Sequence, residues 1–237
     1  MTRVLIPADR VYACGGRLKL EPEEAHYLLH VLRLQPGAQL EVRDGRGGAW
    51  NATVSEGAVL DLSERTALPP LVGVGVVLAF APPRGGRMDI LLEKATELGA
   101  SALQPIWAAR SVRKDSGNPG RWSRVVAAAA RQCGIPVVPD VAKPMSFDEA
   151  LLAYAGVELK LVAAPTAAEG LREVLPKGPV EQAVVLTGPE GGLTTAELEA
   201  ATAAGFRPFH LGTAILRAET APLVALALLR HRYGDLG

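Results

Sequence analysis

The hydrophobic pattern of this chain changes period once, at the proline pair Pro69-Pro70, and no other feature constrains the fold as much. Before that point, short alternating segments recur at residues 3–6, 17–20, 38–43, 49–55 and 59–63. Pro36-Gly37, Asp44-Gly45, Gly47-Gly48 and Gly57 punctuate them, and strands at such spacing predict a small barrel or sandwich. One helix interrupts the series. Ala25, Leu28, Leu29 and Leu32 repeat at helical spacing, and Pro22, Glu23 and Glu24 suit a first helical turn. The stretch 66–71 (TALPPL) reads as a stiff, extended linker.

After the linker, residues 72–80 form a nearly all-apolar segment, as expected of a strand covered on both faces. Met88, Leu91, Leu92, Ala95 and Leu98 mark a helix that Gly99 ends. Apolar strands and helices then alternate: strands at 102–107, 157–164, 183–187 and 206–211, helices near 121–133 and 195–204, and a last helix from about 220. Such alternation predicts an α/β domain with a mostly parallel sheet, whose ligands belong at the carboxyl ends of the strands. The expected domains are residues 1–70 and 71–237.

Composition removes several classes. Hydrophobic residues make up 49% and charged residues 21%, which excludes a disordered chain. Twenty-five basic and 25 acidic residues cancel, so any nucleic-acid surface must be local. Cys14 and Cys133 have no metal-ligand or disulfide-framework spacing, no metal is expected, and a reducing cytoplasm is the simplest compartment. The start (MTRVLIPADR) is too short and too charged for a signal peptide. The apolar run 223–229 is far below the roughly 20 residues of a membrane span and reads as a buried helix or an interface.

Charge is concentrated in one stretch. Arg110, Arg113, Lys114, Arg121, Arg124 and Arg131 face only Asp115. Arg121, Arg124 and Arg131 share a helical face, which reads either as a solvated face or as a phosphate-binding patch.

Two segments stand at strand ends. Leu186-Thr187-Gly188-Pro189-Glu190-Gly191-Gly192-Leu193 precedes Thr194 and Glu197, a capping-box pair. It matches neither the P-loop nor the dinucleotide fingerprint, and Glu190 would repel a phosphate. It is either a tight strand-to-helix turn or a close backbone approach to a neutral or cationic ligand. Leu211-Gly212-Thr213-Ala214-Ile215-Leu216-Arg217-Ala218-Glu219-Thr220-Ala221 combines an apolar floor with Arg217 and Glu219, either a surface pair at a helix entrance or the rim of a pocket. His210, beside this segment, reads as a hydrogen-bonded strand histidine.

The order GPEGG, helix, strand, ILRAETA closely resembles the RsmE family, small-subunit ribosomal RNA uridine-N3 methyltransferases of the SPOUT superfamily. His26 with Val31-Leu32-Arg33, the segment 93–99 (EKATELG), Arg110-Ser111 and Arg131-Gln132-Cys133-Gly134 extend the likeness over nearly the whole chain. The resemblance implies a PUA-like, RNA-binding β-barrel followed by a SPOUT-type parallel sheet with a trefoil knot. It also implies S-adenosylmethionine as cofactor and a homodimer acting on 16S ribosomal RNA. Ala164, Pro165, Leu186, Gly188, Gly191, Gly192, Leu211, Gly212 and Leu216 are the expected cofactor contacts. Methylating uridine N3 requires loss of its proton, so Glu219 is the first candidate base, Arg217 the anion stabiliser and Glu190 the second carboxylate. Arg110, Arg113, Lys114, Arg121 and Arg124 are the expected RNA contacts. Two other readings stay open: a relative that methylates a ribose 2′-hydroxyl, and a non-catalytic RNA-binding assembly factor.

Overall fold

A computed structural model describes residues 2–112, 118–234 and 236, and the chain folds into two compact units. Unit 1 is Met1–Pro70 with Ala130–Val138, and unit 2 is Leu71–Ala129 with Pro139–Gly237.

Unit 1 is built on five strands, β1 (Thr2–Leu5), β2 (Arg17–Lys19), β3 (Gln39–Arg43), β4 (Gly48–Ser55) and β5 (Val59–Ala67). They pair in the order β1-β3-β4-β5-β2, antiparallel except for the parallel β1–β3 pair. Alternation places Val4, Leu18, Leu40, Val42, Ala52, Val54 and Leu60 in one core, which Leu28 completes from the helical segment. The short helix α1 (Ala8–Ala13) lies between β1 and β2; its first turn has no side-chain cap, and nothing in the pattern announces it. Helix α2 (Pro22–Ala25) begins as expected with Pro22 in its first turn, then widens into a π-turn over His26–Val31. The turn ends at Val31, and two residues on, Arg33 adopts φ 56°, an uncommon value for a residue with a Cβ. β5 runs to Ala67, into the stretch expected to be linker.

Unit 2 carries β6 (Gly75–Phe80), α3 (Arg87–Glu97), β7 (Ala102–Trp107), α4 (Pro119–Cys133), β8 (Asp140–Val141), β9 (Met145–Ser146), α5 (Phe147–Ala153), β10 (Leu159–Ala163), α6 (Leu171–Val174), β11 (Gln182–Thr187), α7 (Thr195–Ala203), β12 (Arg207–Phe209) and α8 (Thr220–Tyr233). The last residues of α4 belong to unit 1. The sheet order is β12-β10-β11-β6-β7-β8, with β9 also on β7, and every pair is parallel. The apolar strands are covered on both faces: Leu78, Ala79, Leu161, Val162, Val184, Val185 and Leu186 have essentially no solvent exposure. In the run 223–229, Ala225, Leu226 and Leu229 are core, whereas Leu228 is 43% exposed. No helix among the described residues is long and apolar enough to cross a membrane.

Candidate active site at the ends of three parallel strands

β10, β11 and β12 end together, and the chain leaves each by a glycine- or proline-bearing loop. After β11, Gly192 takes φ +71°, and its N–H donates to the Pro189 carbonyl at 2.8 Å, folding the glycine segment into a turn. The turn delivers the chain to α7. There the Thr194 hydroxyl accepts from the Glu197 N–H at 3.2 Å, and the Glu197 carboxylate accepts from the Thr194 N–H at 2.7 Å. This is the capping box the sequence predicts. A Cβ on Gly188 would sit 2.9 Å from Leu193 Cγ, so only glycine lets the strand end approach so closely.

After β12, His210 Nδ1 accepts from the Gly212 N–H at 3.1 Å, and the His210 backbone bonds to Glu169 and Leu171. His210 therefore shapes its loop, as expected of a satisfied strand histidine. β10 contributes Ala164, whose N–H donates to the Phe209 carbonyl at 2.8 Å.

These three loops enclose a cavity of about 530 Å³. Of the nine expected cofactor contacts, Ala164, Pro165, Gly188, Gly192, Leu211, Gly212 and Leu216 line it. Leu186 does not: its side chain is fully buried in the sheet core, because side chains alternate along β11 and Leu186 faces into the packing. The next residue, Thr187, reaches the cavity instead. Thr187 is 2% exposed, and its hydroxyl has no hydrogen-bond partner among the described residues. A buried hydroxyl without a partner is costly, so a ligand that bonds to it gains selectively. The sequence reading missed Thr187; the signal available was its place as the one polar residue at an apolar strand end.

Gly191 lines a second, more open cavity with Arg84, Gly85, Gly86, Arg87 and Glu190. The Glu190 carboxylate accepts from the Arg84 backbone N–H at 3.0 Å, tying the loop before α3 to the glycine segment. Glu219 is buried at the start of α8. Its Oε1 lies 3.5 Å from Arg87 Nε and 4.0 Å from Arg217 Nη1, and its Oε2 has no hydrogen-bond partner among the described residues. The Arg217 side chain is 73% exposed. Glu219 and Arg217 are neighbours, whereas Glu190, bonded to a backbone amide, lines both cavities. Arg84 and Arg87 were missed, because a segment reading PPRGGR signals only a turn until Glu190 and Glu219 fold onto it.

The expected RNA contacts are dispersed. Arg113 and Lys114 lie outside the described residues. Arg110 donates to the Gly191 carbonyl at 2.9 Å, and the neighbouring Ala109 N–H donates to Glu197 at 2.7 Å. Arg121 is paired with Asp89. Arg124 is exposed and has no ion-pair or hydrogen-bond partner among the described residues. Arg131 is placed in unit 1, with its guanidinium 5.3 Å from the Tyr27 ring centre.

Residues 72–230 match the family model for an RNA methyltransferase domain, and residues 20–58 match that for an RNA methyltransferase PUA domain. A Synechocystis relative, ribosomal RNA small subunit methyltransferase E, is 39% identical over 218 residues, 88% of this chain and 71% of the relative. This chain belongs to the ribosomal RNA small subunit methyltransferase E family. The Bacillus subtilis member is 33% identical over 89% of this chain and 88% of its own. Among solved structures, the Neisseria gonorrhoeae member bound to S-adenosylmethionine superposes with a TM-score of 0.87 at 31% identity, covering all of both chains. A Legionella pneumophila methyltransferase with bound S-adenosylmethionine gives 0.89 at 28% identity, again covering all of both chains. The fold is therefore the SPOUT type the sequence led us to expect: a parallel methyltransferase sheet preceded by a PUA-type unit.

Proposed function

We propose that this chain is an S-adenosylmethionine-dependent methyltransferase that acts on N3 of a uridine in 16S ribosomal RNA, in the cytoplasm. The observation that carries the reading is the apolar, glycine-walled cavity at the ends of β10, β11 and β12, with the unpartnered Thr187 hydroxyl on its wall and Glu219 nearby in sequence from the same loop. The family supports the substrate class, since its members are named for small-subunit ribosomal RNA.

The cavity suits the cofactor by its chemistry. Leu211 and Leu216 offer an apolar slot for a flat base, while Gly188, Gly192 and Gly212 bring backbone amides and carbonyls close. Ala164 and Pro165 complete the wall, and Thr187 supplies the one buried side-chain hydroxyl. When bound, S-adenosylmethionine supplies an electrophilic methyl group with a good leaving group, which leaves the chain to position, desolvate and deprotonate the acceptor. Glu219 Oε2 is the free acceptor for the N3 proton, and the exposed Arg217 stabilises the resulting anion. Arg87 holds the opposite oxygen of Glu219 and so orients it. Glu190 clamps the Arg84 amide with one oxygen and also lines the cavity.

In this reading residues 1–70, with the segment 130–138 that packs among them, form the RNA-binding unit, and residues 71–237 carry the chemistry. Arg124 contacts phosphate directly, and Arg110 does so while holding the glycine turn. The trefoil knot implied by the superfamily likeness and a homodimer formed over α8, where Leu228 is exposed, belong to the same proposal.

Incubating naked 16S RNA and assembled small subunits with isotope-labelled cofactor tests it. Nucleoside mass spectrometry should find the label on uracil N3. Label on ribose, or RNA binding without label, would overturn the reaction assigned here.

A further inference from the structure

Unit 1 carries a cluster of aromatic and cationic side chains that the reaction does not use. Tyr12, on α1, is 58% exposed, and its ring meets Trp50 edge-on, with centroids 5.7 Å apart and planes at 80°. Its hydroxyl donates to Asp44 Oδ2 at 3.1 Å. Asp44 is itself buried and also accepts from the N–H groups of Arg46, at 2.7 Å, and Gly48, at 2.8 Å. The tyrosine is therefore fixed at two points, by a buried indole and by a carboxylate that organises a turn. Arg65, exposed near the end of β5, lies with its guanidinium carbon 6.0 Å from the Tyr12 ring centre and 5.9 Å from that of Trp50. Among the described residues, no carboxylate lies within ion-pair distance of Arg65. Gly48 sits beneath the cluster, where a Cβ would meet both the Asp44 carboxylate and, at 2.8 Å, Arg65 Nε, so the carboxylate lies near the guanidinium without an ion pair within 4.0 Å.

An exposed aromatic ring held at two points, next to a planar cation that makes no ion pair within 4.0 Å among the described residues, is the arrangement that stacks an unpaired nucleobase and meets its phosphate. A protein partner would find little apolar area here, since the neighbouring exposed residues are Glu64, Arg65 and Thr66. Tyr12 and Arg65 both fall outside the segment 20–58 that matches the PUA family model. We infer that Tyr12 and Arg65 form a stacking site for one unpaired nucleotide of the substrate RNA, braced by Trp50 and Asp44. The inference rests on reading unit 1 as the RNA-binding unit. It adds a place where single-stranded RNA is held apart from the reacting base.

The test uses the full-length protein with a short oligouridylate carrying one 5-iodouridine, and a duplex of equal length as the control. Irradiation should give an adduct that mass spectrometry maps to Tyr12. Tyr12→Ala should weaken oligouridylate binding about tenfold and leave duplex binding unchanged, because only an unpaired base stacks. Tyr12→Phe should bind nearly as well as the parent. Arg65→Lys should lose affinity while keeping the salt dependence, since the charge remains and the planar fork is gone. Cofactor affinity and melting temperature, measured on each variant, show whether the fold is intact. An unchanged affinity in folded Tyr12→Ala, or adducts that avoid Tyr12, would overturn the site. A wild-type protein that crosslinks at Tyr12 yet methylates no uridine would instead strike the proposed reaction and leave the stacking site standing.

Discussion

Glu219 Oε1 lies 3.5 Å from Arg87 Nε, while Glu219 Oε2, buried beside it, has no hydrogen-bond partner among the described residues. One oxygen is held and the other is left available, which is the asymmetry a proton acceptor needs. Glu219→Gln keeps the shape and removes the basicity. Turnover should fall by roughly 10²–10⁴, the usual contribution of a positioned general base. Cofactor affinity, measured by calorimetry, should not change. Normal turnover in a folded Glu219→Gln protein would remove Glu219 from the chemistry.

Thr187 offers a sharper test of the cavity. Thr187→Val is nearly isosteric and removes an unpartnered buried hydroxyl, so the free protein should be as stable as the parent or slightly more so. The same change should weaken S-adenosylmethionine by about 1 kcal/mol, roughly fivefold, if the hydroxyl bonds to the cofactor. Thr187→Ser should restore binding. Equal affinities across all three proteins would place the cofactor elsewhere.

Arg121 and Arg124 separate under charge reversal. Arg124→Glu should weaken RNA binding and flatten its dependence on salt, because a free surface cation is lost. Arg121→Glu should do this less cleanly. It also sets a glutamate against Asp89, whose pairing with Arg121 is exposed and so contributes at most about 1 kcal/mol. A binding series over several salt concentrations, with melting curves alongside, distinguishes the two.

Gly192→Ala forces a Cβ into the left-handed region and should cost on the order of 1–2 kcal/mol. Gly188→Ala should act differently, since its new Cβ pushes Leu193, which also lines the cavity. Its signature would be weaker cofactor binding with a smaller change in melting temperature.

Much of this arrangement could be read from local pattern. The strand at 102–107 and the capping box at Thr194 follow from alternation, run length and a short-range hydrogen-bond motif, and these depend on neighbours in the chain. The same motif at Ser146 and Glu149, which starts α5, was present in the sequence and went unread. Leu186 and Thr187 show where pattern becomes ambiguous: one step along β11 moves a side chain from the core to the cavity. Arg87, Arg110 and Arg121 show where it stops. Each looks like a free surface cation until a partner from elsewhere in the chain, Glu219, the Gly191 carbonyl or Asp89, folds against it. Such pairings are set by tertiary contact and leave no trace in spacing. The Arg65 guanidinium over Tyr12 belongs to the same class.

The register of β11 against β6, Gln182 beside Gly75 through Thr187 beside Phe80, joins segments more than a hundred residues apart at the centre of the sheet. β12 and the loop that closes the cavity come later still. The cavity at these strand ends is therefore a product of long-range pairing: no local segment can build its walls before β12 has joined β10 and β11 has joined β6.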